Sequence, residues 1–126
     1  MSGLDRRTVL KLAALAPLTA VRGNNDKGLW AASIRETEVL RVDDGLIYVI
    51  HDLAQLDLDP AAAGFHVVVS GHSHRPSVEK KDGVVYLNPG SAGPRRFKLP
   101  IAAADLAVHG TSVRARITEL GAQSGK

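Results

Sequence analysis

Val67-Val68-Val69-Ser70-Gly71-His72-Ser73-His74-Arg75-Pro76 decides how the rest of the chain is read. Three consecutive β-branched residues followed by serine and glycine predict a compact buried strand over 67–70. The strand runs straight into a loop that carries two imidazoles. The same pattern recurs on both sides of it. Leu46–Ile50 ends in His51, and Val84–Leu87 ends in Asn88-Pro89-Gly90-Ser91. Upstream, a short apolar strand over Leu18–Val21 ends in Arg22-Gly23-Asn24-Asn25-Asp26. In open α/β sheets, ligands bind beyond the carboxyl ends of the strands. Neighbouring strands would gather Asn24, His51, His72, His74 and Asn88 into one patch, so the fold class expected is α/β.

The remaining segments fit around that patch. Val9, Leu12, Ala13 and Ala16 recur at helical spacing, with Asp5 in the first turn and Pro17 ending the element. Asp43-Asp44-Gly45 between Glu38–Val42 and Leu46–Ile50 is a hairpin signal, as is Lys81-Asp82-Gly83 between Ser77–Lys80 and Val84–Leu87. A short helix or turn is expected over Leu53–Ala63, around Pro60. His109-Gly110 joins strands Ala102–Val108 and Ser112–Glu119. In the latter, Val113, Ala115 and Ile117 alternate with Arg114, Arg116 and Thr118, the pattern of a sheet with one wet face. Residues 1–120 read as a single domain and 121–126 as a frayed tail.

Composition narrows the function classes. The 126 residues are 44% hydrophobic and 23% charged, ordinary values for a globular domain. There is no cysteine, which excludes disulfide scaffolds, thiolate metal sites and thiol nucleophiles. Sixteen basic residues face thirteen acidic ones, and the basic residues are scattered. Aromatics are only 4%, too few for a base-stacking platform, so nucleic acid is not the expected partner. No apolar run reaches the ~18 residues of a membrane-spanning helix. Arg6-Arg7 followed by an apolar stretch to Val21 also reads as a twin-arginine export signal, but Pro17 interrupts the stretch and no Ala-x-Ala follows it. The cytoplasm is the expected location.

Two histidines two residues apart in an extended loop would point the same way and converge on one point, which suits a divalent transition metal. His51 would add a third nitrogen and Asn24 an amide oxygen. Each residue also has a plainer reading. His51 alone suits a buried core position, Asn24 a turn, and Asn88-Pro89-Gly90-Ser91 a simple chain reversal. Their order along the chain and their shared place at strand ends favour a site.

That order resembles the calcineurin-like metallophosphoesterase superfamily, most closely its small bacterial and archaeal phosphodiesterase branch. The resemblance is carried by Gly23-Asn24-Asn25-Asp26, His51, Gly71-His72-Ser73-His74, and Asn88-Pro89-Gly90-Ser91 with Arg95, and spans about Leu12 to Leu120. It implies an αββα sandwich around a two-metal centre. Asn24, His51 and His72 would hold the second metal and His74 the first, while Asp26 would orient the loop that carries Asn24. Arg95, or else Arg22 or Arg75, would balance the negative charge of a small phosphoester substrate. The metal would be manganese, with zinc, nickel or iron as alternatives. Some members place a catalytic histidine directly after the motif asparagine; here that position is Asn25, so water would protonate the leaving group.

The family pattern begins with Asp-x-His and Gly-Asp motifs, and neither occurs in these residues. The reading is therefore of a truncated domain lacking the first strand–helix–strand unit, holding at most one metal weakly. Exposed sheet edges would then favour homo-oligomers. The activity expected is metal-dependent phosphoester hydrolysis. The alternatives are a non-catalytic binding or scaffold module on the same fold, or an inactive gene fragment.

Overall fold

The computed structural model describes Val21, residues 34–91 and residues 99–120. The expected N-terminal helix, the Asn24 loop, Arg95 and the 121–126 tail lie outside the described residues. Seven strands follow in chain order: β1 (Thr37–Val42), β2 (Gly45–Ile50), β3 (Val67–Val69), β4 (Ser77–Lys81), β5 (Val84–Asn88), β6 (Ile101–His109) and β7 (Ser112–Leu120). They form a five-stranded sheet in the order β1-β2-β3-β5-β4 and a two-stranded sheet of β6 and β7. Each strand starts and stops within one or two residues of where the sequence places it.

The centre of the large sheet is parallel and its edges are antiparallel. β2 pairs β3 through Ile47–Val67 to Val49–Val69, and β3 pairs β5 through Val67–Val85 to Val69–Leu87. The outer strands β1 and β4 fold back as hairpins on β2 and β5. A parallel strand covered on both faces must be apolar throughout rather than alternating. The β3 sequence obeys this, and Val67 and Val68 are both fully buried. On one face Tyr48, Ile50, Val68 and Val84 form a core. The segment after β2 covers them with Leu56, Leu58 and Phe65, and Phe65 meets Tyr48 edge-on at 5.1 Å. On the other face Ile47, Val67 and Leu87 are buried. Val21 and Ala102 are buried as well.

The short helix or turn expected over Leu53–Ala63 takes the form of two single turns. A one-turn 3-10 helix spans Leu53–Gln55. Leu56 then turns extended, at φ −66° and ψ 122°. A second single turn runs from Asp59 to Gly64, with Ala63 N–H donating to Asp59 C=O and Phe65 N–H to Pro60 C=O. The local residues explain the break. Leu56 and Leu58 alternate with Asp57 and Asp59, so an extended run seats both leucines on the core and both aspartates toward water. Asp59 caps the second turn, accepting from Ala62 N–H, and Pro60 sits at its first position, where a missing N–H costs nothing.

The small sheet behaves as its alternation predicts. Val113, Ala115 and Ile117 are half-buried while Arg114, Arg116 and Thr118 are exposed. Its turn is tied to the β1–β2 turn: Gly110 N–H donates to the Asp43 carboxylate, and Asp44 N–H donates to Gly110 C=O. Gly45 makes this approach possible, because a Cβ there would lie 2.7 Å from Val108 Cγ1.

Candidate metal centre

The site is built at the carboxyl ends of the three parallel strands. Their register puts Val49, Val69 and Leu87 side by side. The residues just beyond them, His51, Gly71–His74 and Asn88, therefore emerge at one rim of the sheet. Backbone pairing continues into the loops: Ser70 N–H donates to Leu87 C=O, and Gly71 N–H to His51 C=O, both within 2.9 Å. The imidazole of His51 and the loop bearing His72 are thus fixed at the spacing of adjacent strands, about 4.8 Å.

His72 and His51 meet. His72 Nδ1 lies 3.3 Å from His51 Nε2, and the two rings stand nearly perpendicular, at 85°. His51 is buried, whereas the His72 side chain is 46% exposed and closes the site toward solvent. On its other side, His72 Nε2 faces Asp52 Oδ2 at 3.9 Å. The Asp52 carboxylate is itself fixed, because its Oδ1 accepts from Ala54 N–H at 3.0 Å as the cap of the 3-10 turn.

The loop does not have the extended backbone assumed for residues 72 and 74. His72 (φ 66°) and His74 (φ 60°) both take left-handed backbone. Ser73 N–H donates back to Gly71 C=O at 2.7 Å, closing the rarer, strained form of γ-turn around His72. Alternation at i and i+2 fails in such a loop. His72 faces solvent and His51, while His74 is buried. The structure brings His72 against His51, a pairing that the i, i+2 spacing of the loop histidines did not point to.

Asn88 holds the loop in this shape. It is 8% exposed, and its Nδ2 donates to Gly71 C=O (3.0 Å) and to Ser73 Oγ (3.1 Å). Its Oδ1 accepts from Gly90 N–H at 2.9 Å. Gly90, at φ 81°, packs so closely on the loop that a Cβ would come 2.8 Å from Pro76 Cγ. Beside the histidines lies an open depression of about 280 Å³, walled by Asp52, Ser73, Ser77, Glu79, Tyr86 and Asn88.

The donor pair fits a divalent cation. Two nitrogens each bound at 2.0–2.1 Å in tetrahedral geometry stand about 3.3–3.4 Å apart. The separation of His72 Nδ1 and His51 Nε2 is 3.3 Å. Among the described residues no group of three or more His, Asp or Glu converges on one point. The predicted Asn24, Asp26 and Arg95 lie outside the described residues. Sequence reasoning passed over Asp52; its signal was a cap-forming aspartate directly after a candidate ligand.

Histidines that follow successive parallel strands thus gather at one rim of a mixed sheet. The chain belongs to the calcineurin-like phosphoesterase superfamily, whose domain model matches residues 4–119. It is 33% identical over 118 residues to a "probable metallophosphoesterase" of Methanothermobacter thermautotrophicus, covering 89% of this chain and 68% of that protein. A second archaeal protein with that description, from Methanocaldococcus jannaschii, is 33% identical over 95 residues, 69% of this chain and 47% of the relative. The chain therefore spans about two thirds of one relative and half of the other. The fold is similar to that of zinc-bound Vps29 from Entamoeba histolytica, with a TM-score of 0.68 at 21% identity, covering 90% of this chain and 76% of that one. Among the described residues no helix is long and apolar enough to cross a membrane.

Proposed function

We propose that this chain is a divalent-metal-dependent hydrolase of small phosphodiesters. The observation that carries the reading is the 3.3 Å separation of His72 Nδ1 and His51 Nε2 at the rim of the parallel strands, the bite of a single cation. Asn24 completes this set with an amide oxygen, and His74 is the family's ligand for a further metal that this chain is not expected to hold. A cation bound at the first set would supply charge stabilisation for the phosphoryl oxygens and an acidified water as nucleophile.

The chain's own residues do the rest. His51 and His72 hold their facing ring nitrogens at fixed separation because Gly71 N–H, next to His72, donates to His51 C=O across adjacent strands. Asn88 fixes the Gly71–Ser73 turn, and Asp26 orients the loop that carries Asn24. Arg95 meets the negative charge of the substrate. Manganese is the metal first expected of this nitrogen–oxygen set, with zinc, nickel or iron as alternatives.

The test is hydrolysis of a chromogenic phosphodiester by the full chain with added manganese, alongside His72→Ala. We expect metal-dependent turnover that falls at least 100-fold in the variant. Equal rates for the two proteins would sink the proposal. A second reading is a binding module that keeps a metal without turning over substrate. It is favoured by the lack of any carboxylate converging with the two imidazoles among the described residues. Stoichiometric metal binding with no hydrolysis would select it.

A further inference from the structure

We infer that Asp52 sets the tautomer of His72, holding its Nδ1 lone pair free for a cation, and that Asp52 is therefore a positioning residue of the centre. This deepens the metal reading above and rests on it. A neutral imidazole carries one proton, and its two nitrogens differ in what surrounds them. His72 Nδ1 points to His51, 3.3 Å away, and Nε2 points to Asp52 Oδ2, 3.9 Å away. The second distance is that of an ion pair and exceeds a hydrogen bond, so the coupling is electrostatic in the metal-free chain. A carboxylate offers no proton and attracts one. It favours the Nε2–H form, which leaves Nδ1 unprotonated on the side facing His51. A carboxylate behind a ligating histidine also raises that ligand's basicity, and losing such a partner typically weakens metal binding about 10–100-fold.

Two further observations support the assignment. The orientation of Asp52 is fixed locally, since Oδ1 accepts from Ala54 N–H at 3.0 Å and leaves Oδ2 for His72. Asp52 Oδ2 also lies on the Nε2 side of the His72 ring, opposite the Nδ1 that faces His51, so its route to the cation runs through His72. In the metal-free chain the same tautomer has His51 Nε2–H donating to His72 Nδ1. For both nitrogens to turn to a metal, His51 would shift to its other tautomer, its proton moving from Nε2 to its own Nδ1.

The experiment separates this role from mere capping of the 3-10 turn. In Asp52→Asn, Oδ1 still caps Ala54, but an amide NH₂ replaces Oδ2 and turns its positive end toward Nε2, favouring the Nδ1–H form of His72. In Asp52→Ala, the tautomer preference is only relaxed. Zinc affinity of the full chain by calorimetry is expected to fall about 10-fold in Asp52→Ala and further in Asp52→Asn. A capping role gives the reverse order, with Asp52→Asn close to wild type, and overturns the inference. Imidazole ¹⁵N spectra of the metal-free protein, with His72 assigned from the His72→Ala variant, give a readout independent of metal. Nε2–H in the wild type and Nδ1–H in Asp52→Asn support the assignment; Nδ1–H in the wild type overturns it. If the wild type binds no metal, the proposed function fails, and the spectra still decide what Asp52 does.

Discussion

Replacing Asn88 with alanine removes three hydrogen bonds at once. Two are donated, to Gly71 C=O and Ser73 Oγ, and one is accepted from Gly90 N–H. A typical protein hydrogen bond contributes about 0.5–1.5 kcal/mol net. Ser73 is exposed, so its hydroxyl turns to water with little loss. Gly71 and Gly90 are half-buried, and their backbone groups lose partners that water replaces only in part. Counting those two in full gives about 2 kcal/mol, a substantial share of the roughly 5–15 kcal/mol that holds a domain folded. With a urea slope of about 1–3 kcal/mol per molar, the midpoint should fall by about 1 M. Asn88→Asp keeps the acceptor for Gly90 but sets a carboxylate oxygen against Gly71 C=O. It should destabilise at least as much as alanine. Urea melts of the three proteins decide the matter. A midpoint shift below about 0.2 M for Asn88→Ala, or a neutral Asn88→Asp, would refute the claim that this amide clamps the loop.

Other perturbations test different parts of the structure. Gly90→Ala must fit a Cβ 2.8 Å from the Pro76 ring at a φ of 81°, and should cost about 2–4 kcal/mol by thermal melting. Val68→Ala removes two methyl groups from a fully buried position on the central strand, and should lower stability by about 2 kcal/mol in a urea titration. Asp43→Ala cuts the tie to Gly110, and should cost about 1 kcal/mol while leaving metal affinity measured by calorimetry unchanged.

Strand placement was legible because the chain states it locally. Val67–Val69 is too short and too β-branched for a helix, and Asp43-Asp44-Gly45 and Lys81-Asp82-Gly83 mark reversals by residues that tolerate positive φ. Asp43 and Asp82 do take it, at 53° and 52°. The meeting of His51 with the Gly71–His74 loop was also legible, because both follow apolar strands that the topology makes neighbours. The aim of each imidazole was not. Direction within the loop depends on left-handed φ at His72 and His74, which sequence spacing does not encode. The Leu53–Ala63 segment was legible as a helix or turn around Pro60, and single turns form there. What sequence did not show is that packing of Leu56 and Leu58 against Tyr48 and Val68 selects an extended path between them. Asp52 lay adjacent to a candidate ligand, yet its relevance depends on a contact twenty positions away.

The left-handed backbone at His72 and His74 has an evolutionary consequence. Each of these non-glycine residues holds a conformation that glycine or asparagine would occupy with less strain, a difference on the order of 1 kcal/mol per site. A library selected for heat tolerance alone should therefore enrich Gly or Asn at both positions and discard the imidazoles. Selection that retains both histidines against that gradient would measure how much fitness the organism draws from this loop.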